Sequence, residues 1–167
     1  MRKLPSINDI LVISTDREWQ TKSGGTLSVL YKIGHDVLTN FLSYDEQELS
    51  KLSTDIRGLR SYMVEHIPVG SIGANEWHRV RNEIVFALKG SFSWTCTDSY
   101  GQTQEFTLDK STAILTPHHL LHTYVALEND STIGALANTI FFPDNPDTHD
   151  TYSAAEFMSL TEPSPKQ

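Results

Sequence analysis

Four polar residues, Glu76, His78, Glu83 and His122, occur at spacings that can bring their side chains into one pocket. Glu76 and His78 point to the same face of a strand, because side chains alternate along a strand with a period of two. A turn over residues 79–82 lets the next strand present Glu83 on that face, and a later hairpin can bring His122 opposite. In a small closed barrel such side chains converge at the mouth, where one small ligand fits. We therefore expect a shared pocket.

The residue types in this group permit two kinds of chemistry. Imidazole and carboxylate groups can transfer protons to and from a bound ligand as general acids and bases. Two histidines with carboxylates also suit a divalent ion such as Zn, Mn, Fe or Ni, whose ligands would be Glu76, His78, Glu83 and His122. The residues alone leave both kinds of chemistry open.

Three residues beside this group are candidates for binding the ligand. Arg79 and Arg81 lie between His78 and Glu83 in the sequence. A guanidinium can bind a diphosphate through two parallel hydrogen bonds. Arg81 is the better candidate, because it is two residues from Glu83 and would point to the same face of a strand. The alternative for both arginines is a charged side chain on the strand that is exposed to solvent. Tyr124 shares parity with His122, so its phenol could donate to a ligand, or its ring could belong to the core.

The remaining histidine, tryptophan and cysteine side chains near these motifs are interpreted mainly as structural. His118 and His119 are interpreted as residues at the rim of the pocket. Trp77 and Trp94 are expected in the core or at an interface, although an aromatic face can also stack on a base or sugar. Cys96 lies mid-strand without a charged neighbour in sequence, which predicts a buried, inert thiol.

Charge and composition narrow the partners and the compartment. The chain has 167 residues and a formal net charge of −8, which argues against a nucleic-acid partner or an anionic membrane surface. A few arginines can still bind an anionic small molecule locally. The single cysteine excludes an intrachain disulfide. With no apolar run of membrane-span length and no signal-peptide pattern at the N-terminus, we expect a cytoplasmic protein.

The elements that must position these residues are mostly strands. Short β-branched or aromatic runs, such as Leu27–Ile33, Ile84–Leu88 and Ile133–Phe142, alternate with glycine and aspartate turns, which favours a sandwich or barrel. Two helices are predicted, one after a capping box at residues 43–46 and one over Thr151–Leu160. We expect one domain over 1–167, divided into an N-terminal β extension (1–65), the barrel core motifs (66–145), and a C-terminal helix and tail (146–167).

The first cluster of polar residues resembles a known sequence motif. Gly70, Glu76, His78, Glu83 and Gly90 have the spacing of the first cupin motif, G-x5-H-x-H-x4-E-x6-G, with Glu76 in place of its first histidine. The resemblance implies an all-β cupin jelly-roll barrel, with an N-terminal β extension and one or two short helices. The open edge of such a fold needs covering, and pairing with a second subunit would cover it, so we expect a homodimer.

The second cupin motif, G-x5-P-x-G-x2-H-x3-N, is half kept. Pro117 and His122 occupy their positions, whereas Ser111, His119 and Ala126 replace its two glycines and its asparagine. The cupin resemblance extends over residues 70–142.

Within the cupins, the chain is most similar to the WxcM-like group, typified by TDP-4-oxo-6-deoxyglucose 3,4-ketoisomerases. The segments that carry this similarity are 74-ANEWHR-79, Gly90, 98-DSYG-101, 107-TLD-109, 118-HHLLH-122 and 147-DTHDTYSAAEF-157. In that group the barrel holds a nucleotide-linked sugar, and two histidines move protons between neighbouring carbons without a metal.

The resemblance implies a function and a role for each residue. His78 would be the main acid and base, and Glu76 the second proton acceptor. The substrate-binding residues would be Arg79, Arg81, Glu83, His122 and Tyr124. We expect an isomerase or epimerase of TDP-4-oxo-6-deoxyhexose-type nucleotide sugars in surface polysaccharide biosynthesis, without a cofactor.

Two alternatives stay open. One is a binding cupin, with or without a divalent metal ion, that has lost turnover and recognises a sugar or another small ligand. The other is a metal-dependent oxygenase, although the three-histidine set of such an enzyme is incomplete here.

Overall fold

The protein is built on two antiparallel β-sheets of five strands each. The computed structural model describes residues 3–14 and 18–161. The strands are β1 (Leu11–Ser14), β2 (Glu18–Gln20), β3 (Thr26–Ser28), β4 (Arg57–Ile67), β5 (Ile72–Trp77), β6 (Glu83–Lys89), β7 (Phe92–Thr97), β8 (Thr103–Leu108), β9 (Thr112–Thr116), β10 (Leu121–Ala126), β11 (Ser131–Thr139) and β12 (Tyr152–Ser153). This architecture confirms the predicted cupin jelly-roll class.

The strand order places the sequence motifs on facing sheets. The first sheet has the order β1-β9-β6-β11-β4 and the second has the order β12-β5-β10-β7-β8. The strands β2 and β3 form a separate hairpin. Because β6 lies at the centre of one sheet and β10 at the centre of the other, residues on their inner faces meet between the sheets.

The main core fills the space between the sheets. Strand β7 alternates between buried and partly buried residues, and its buried members Phe92, Trp94 and Cys96 pack against Val85 and Ile133 of the opposite sheet. This alternation is the pattern expected of a strand with one face in the core.

Strand β6 is apolar along most of its length because both of its faces are covered. Val85 and Ala87 belong to the main core. Ile84 and Phe86 point the other way and pack with Phe41 in a second cluster. A strand buried on both sides reads as a continuous apolar run, as this one does.

The described residues also form three short α-helices: α1 (His35–Phe41), α2 (Glu46–Leu49) and α3 (Ala154–Thr161). The helix α3 overlaps the predicted C-terminal helix, beginning three residues after Thr151 and ending one residue after Leu160. The cap of α2 is Asp45, two residues after the predicted Ser43, and its Oδ1 accepts hydrogen bonds from two backbone N–H groups. The helix α1 was not predicted, because its β-branched residues and its asparagine weaken the helical signal. None of the helices in the described ranges is long and apolar enough to cross a membrane.

The predicted N-terminal extension, residues 1–65, supplies strands of the first sheet in addition to the separate β2–β3 hairpin. Strand β1 pairs with β9 from Leu11 opposite Leu115 to Ser14 opposite Thr112. Strand β4 begins at Arg57 and forms the other edge of the same sheet by pairing with β11.

Candidate active site

Glu76, His78, Glu83 and His122 form one group between the sheets. The Nε2 atom of His78 lies 3.8 Å from Oε1 of Glu76 and 3.7 Å from Oε2 of Glu83. The same oxygen of Glu83 lies 3.7 Å from Nε2 of His122. The two imidazole rings have centroids 5.1 Å apart. The structure therefore brings together all four residues that the spacing selected.

Asp150 fixes the position of His78. Its backbone carbonyl accepts a hydrogen bond from Nδ1 of His78 at 2.7 Å. Its side chain accepts bonds from the backbone N–H groups of Arg79, Val80 and Arg81 at 2.9 to 3.0 Å, which tie down the turn that follows His78. Since a carbonyl can only accept, the proton is on Nδ1, and the lone pair of a neutral His78 is on Nε2. This buried Nε2 makes no hydrogen bond to any residue in the described ranges.

Glu83 is a buried carboxylate held by polar and charged partners. The hydroxyl of Tyr62 donates to its Oε1 at 2.5 Å, and Nη1 of Arg81 donates to the same atom at 3.4 Å. Burial by itself raises the pKa of Glu83, but His78, Arg81 and His122 outweigh burial and hold that pKa well below its ordinary value. Glu83 is therefore ionised, with its other oxygen directed at the two histidines.

His122 is neutral under ordinary conditions. Burial, together with the nearby His78, lowers the pKa of His122 to about 4, even though Glu83 acts in the opposite direction. Its Nδ1 donates to the carbonyl of Leu120 at 3.1 Å, and its ring stacks on Trp94 with centroids 5.1 Å apart. These contacts fix the ring orientation and leave Nε2 facing Glu83.

A cavity of about 200 Å³ adjoins the group. It is lined by Tyr62, Val64, Ala74, Glu76, Glu83, Val85, Trp94, His122, Tyr124, Ile133, Gly134 and Ala135. His78 is not among these residues, but its Nε2 lies 3.8 Å from Glu76 and 3.7 Å from Glu83, both of which line the cavity. Glu76 lines the cavity and has the more exposed side chain of this pair, 32% against 3% for His78.

A bulge in β5 places Glu76 at the cavity. The pairing of β5 with β10 shifts between His122 and Thr123, so that β5 carries one extra residue at this point. Ala74 and Asn75 have φ angles of 61° and 59°, in the left-handed region that non-glycine residues seldom adopt. Bulges and strained backbone of this kind re-aim side chains next to functional sites.

Neither predicted arginine reaches the cavity lining. Arg81 is buried, and its Nη2 donates to the carbonyl of His149 at 2.9 Å in addition to its contact with Glu83. The guanidinium of Arg79 lies over the ring of Tyr152, 4.4 Å from its centroid. Arg81 therefore supports the site through Glu83, and Arg79 packs on an aromatic side chain outside it.

Tyr124 does line the cavity, and a glycine makes room for it. A Cβ atom on Gly73 would lie 2.1 Å from Cζ of the Tyr124 ring, so the ring can cross β5 only because residue 73 has no side chain. Burial, followed by the charge of Glu76, raises the pKa of the Tyr124 phenol. Its hydroxyl is thus a hydrogen-bond donor at neutral pH.

Sequence reasoning missed two residues of this site. Tyr62 lies on β4, 21 residues before Glu83, and no motif spacing points to it. The signal that could have found it is strand alternation, because residues two apart on a strand share a face. Tyr62 and Val64 both line the cavity in this way. Asp150 lies in the C-terminal segment that carries the family resemblance, but only the folded chain brings it beside His78.

The comparison with protein families decides which group this chain represents. The family model described as "WxcM-like, C-terminal" matches residues 25–159. The chain belongs to the WxcM-like family. The resemblance predicted from the sequence is thereby confirmed. No curated protein matches this family member by sequence.

Solved structures similar to this WxcM-like chain include several sugar-modifying enzymes. A 3,4-ketoisomerase from Helicobacter canadensis superposes with a TM-score of 0.62 at 11% identity, covering 92% of this chain and 97% of that chain. The sugar 3,4-ketoisomerase QdtA from Thermoanaerobacterium thermosaccharolyticum, in complex with TDP, gives a TM-score of 0.62 at 12% identity, covering 93% and 96%. The dTDP-4-dehydrorhamnose 3,5-epimerase from Bacillus anthracis, with TDP and PPi bound, gives a TM-score of 0.59 at 13% identity, covering 84% and 80%. At these identities the likeness establishes the fold.

Proposed function

We propose that this protein is an isomerase or epimerase of nucleotide-linked 4-oxo-6-deoxyhexoses, of the TDP-sugar type, in surface polysaccharide biosynthesis. Proton transfer is carried by Glu76 and His78 acting together. The proposal rests on one observation above all. The buried Nε2 of His78 has no hydrogen-bond partner among the residues that the structure describes, and it lies 3.8 Å from Glu76, which lines a cavity.

The geometry suits the proton transfers that such a reaction needs. Moving a carbonyl to the adjacent carbon requires removal of the proton from the hydroxyl-bearing carbon, which gives an enediolate. The hydroxyl proton then moves to the former carbonyl oxygen, and a proton is delivered to the former carbonyl carbon. Glu76 faces the sugar and takes the first proton, while His78 exchanges protons with Glu76. Glu83 stays ionised and stabilises the positive charge that His78 acquires. General acid–base catalysis of this kind contributes roughly a hundred- to ten-thousand-fold in rate.

The size of the cavity indicates which part of the nucleotide sugar it can hold. A volume of about 200 Å³ is below the roughly 300–1,000 Å³ of most pockets for drug-sized ligands. It has room for one sugar-sized unit, so the nucleotide must lie outside it. Two of the similar structures hold TDP, which supports a thymidine diphosphate as the carrier.

We propose that the reaction proceeds without a metal, and keep a divalent ion in the barrel as the alternative. The residues fit an ion chemically, because ligand atoms of Glu76, His78 and His122 lie within 4.8 Å of one another. With Glu83 nearby, these side chains would hold the ion, which would polarise a carbonyl oxygen as a Lewis acid.

Deuterium incorporation tests the proposal. The wild-type protein is incubated in D₂O with TDP-4-oxo-6-deoxyglucose, and exchange at the ring carbons is followed by NMR. We expect exchange in the wild type, and its loss by a hundredfold or more in Glu76→Gln and in His78→Asn, with sugar-nucleotide binding retained in both variants. Glu65→Gln and His35→Asn, at exposed positions, are matched controls that should exchange at the wild-type rate.

Three results would be decisive against it. A wild-type protein that binds the nucleotide sugar without exchanging deuterium would establish the binding cupin instead. Full activity in Glu76→Gln would remove Glu76 from the proton path. Near-stoichiometric metal in the purified protein, lost together with activity in His122→Gln, would favour the metal alternative.

We further propose that the protein is a cytoplasmic homodimer. Strand β4 is a sheet edge with exposed apolar side chains, including Leu59 at 57% and Met63 at 54% exposure, and a second subunit would cover this edge. The buried, unpaired Cys96 fits a reducing compartment. Light scattering at micromolar concentration tests the dimer, and a molecular mass of one chain would exclude it.

A further inference from the structure

A second group of metal-ligating side chains lies outside the barrel site. Asp45, His118 and His119 each offer one ligand atom, and these atoms all lie within 4.8 Å of one another. The Nδ1 atoms of the two histidines are 2.6 Å apart. Asp45 and His119 are buried, with 9% and 5% exposure. The group draws its members from two segments that are far apart in sequence: the cap of α2 and the connection between β9 and β10.

The backbone that carries this group is held rigidly. The side-chain oxygen of Asn82 accepts a hydrogen bond from the N–H of His118 at 3.0 Å, while its amide nitrogen donates to the carbonyl of Ser43 at 3.2 Å. One asparagine thus connects the segment before Asp45 to the segment of the two histidines. A site whose ligands are fixed before an ion arrives loses little conformational freedom when it binds.

His119 occupies an unusual backbone conformation. Its φ angle is 60°, in the left-handed region, where a residue with a side chain is strained. Its N–H donates to the carbonyl of His78 at 2.7 Å, and its ring lies 5.5 Å from that of Trp77. The fold therefore holds a strained, buried histidine beside a second histidine and a carboxylate.

We propose that Asp45, His118 and His119 bind a divalent late transition metal ion such as Zn²⁺, Ni²⁺ or Co²⁺. Two imidazoles and one carboxylate are the donors these ions prefer, whereas Mg²⁺ and Ca²⁺ prefer oxygen alone. Metal–nitrogen bonds are about 2.0–2.1 Å long, so two nitrogens on one ion are separated by about 3 Å, and the histidine pair needs to open by only a fraction of an ångström. In the metal-free pair one neutral imidazole donates its Nδ1 proton to the other. On binding, that proton moves to Nε2, and both Nδ1 lone pairs face the ion.

The surroundings leave the ion open coordination positions. Asp45 and His118 also line a cleft of about 600 Å³, from which water or an exogenous ligand can complete the coordination. The bound ion would tie α2 to the connection between β9 and β10. This proposal is independent of the isomerase proposal, since none of its ligands lines the barrel cavity.

The experiment is a metal titration of tag-free protein that has been stripped with a chelator. Co²⁺ is followed by its d–d absorption, and Zn²⁺ by calorimetry and by the rise in Tm that ligand binding produces. We expect one high-affinity equivalent in the wild type, with an affinity at least tenfold lower in Asp45→Asn and in His118→Asn. The Asp45 variant keeps a good helix cap, and His118 is only partly buried, so at least one variant should fold. His78→Asn, which removes a barrel ligand, should bind as the wild type does.

Two outcomes overturn the proposal. If His78→Asn loses the high-affinity equivalent while the Asp45 and His118 variants keep it, the ion binds in the barrel. If the wild type binds neither Co²⁺ nor Zn²⁺ at millimolar concentration, the three residues form a hydrogen-bonded cluster and no metal site.

Discussion

Replacing Asp150 with asparagine tests how the candidate site is held together. The carboxylate accepts three backbone hydrogen bonds, from residues 79, 80 and 81, at 2.9 to 3.0 Å. Asparagine has nearly the same shape and tolerates the left-handed backbone of this position, where φ is 35°. The substitution therefore removes the charge and replaces one acceptor oxygen with an NH2 donor, while the size of the side chain stays nearly the same.

The magnitude follows from the three hydrogen bonds. In the better of its two amide orientations, the asparagine side chain places its oxygen where Oδ2 of Asp150 was, keeps the bonds from Val80 and Arg81 in neutral form, and loses the bond from Arg79. A hydrogen bond to a charged group contributes about 1.5–3 kcal/mol, and a neutral one about half as much. The sum is a loss of about 3–6 kcal/mol, or roughly 6–24 °C in Tm for a domain of this size.

Thermal and urea unfolding at pH 7 measure this loss directly. Asp147→Asn is the matched control, because Asp147 lies three residues away and is exposed; its Tm should change by less than about 2 °C. The ¹⁵N shifts of His78 report its tautomer, which we expect to be fixed in the wild type and mixed in the variant. An Asp150→Asn protein that melts within about 2 °C of the wild type, with His78 unchanged, would refute the argument that Asp150 organises the site.

Two further predictions concern stability. His122 is neutral when folded, with a pKa of about 4, and has an ordinary pKa near 6.5 when unfolded. The unfolded state therefore binds more protons between these values, and stability should fall by about 3 kcal/mol as the pH drops from about 6.5 to 4. His122→Gln should flatten that part of a urea-unfolding pH profile, and an unchanged slope would contradict the assignment. Gly73→Ala should destabilise the protein by about 1–3 kcal/mol, because the new Cβ overlaps the Tyr124 ring; the double variant with Tyr124→Ala should recover most of the loss, and a Gly73→Ala protein as stable as the wild type would show that the ring can move aside.

Sequence spacing was enough to select the central residues of the site. The predicted strand alternation, the turn to Glu83 and the second motif selected Glu76, His78, Glu83 and His122, because strand periodicity is a local property of the chain. In the structure β5 ends at Trp77, so His78 follows the strand directly instead of belonging to it. The same local reasoning identified most strands and the C-terminal helix. The apolar run of β6 was predicted as a strand, although the sequence could not show that both of its faces are covered.

Tertiary structure decided what each residue can reach. Which residues of the group line the cavity depends on how β5, β6 and β10 pack, and the spacing along one strand does not encode this. Arg81 had the right parity but is engaged by Glu83 and by the carbonyl of His149, a partner 68 residues away. Asp150 holds His78 across 72 residues. Contacts between distant segments arise only when the sheets close on each other, so the sequence determined which side chains take part, and the closure of the barrel determined which of them faces the ligand.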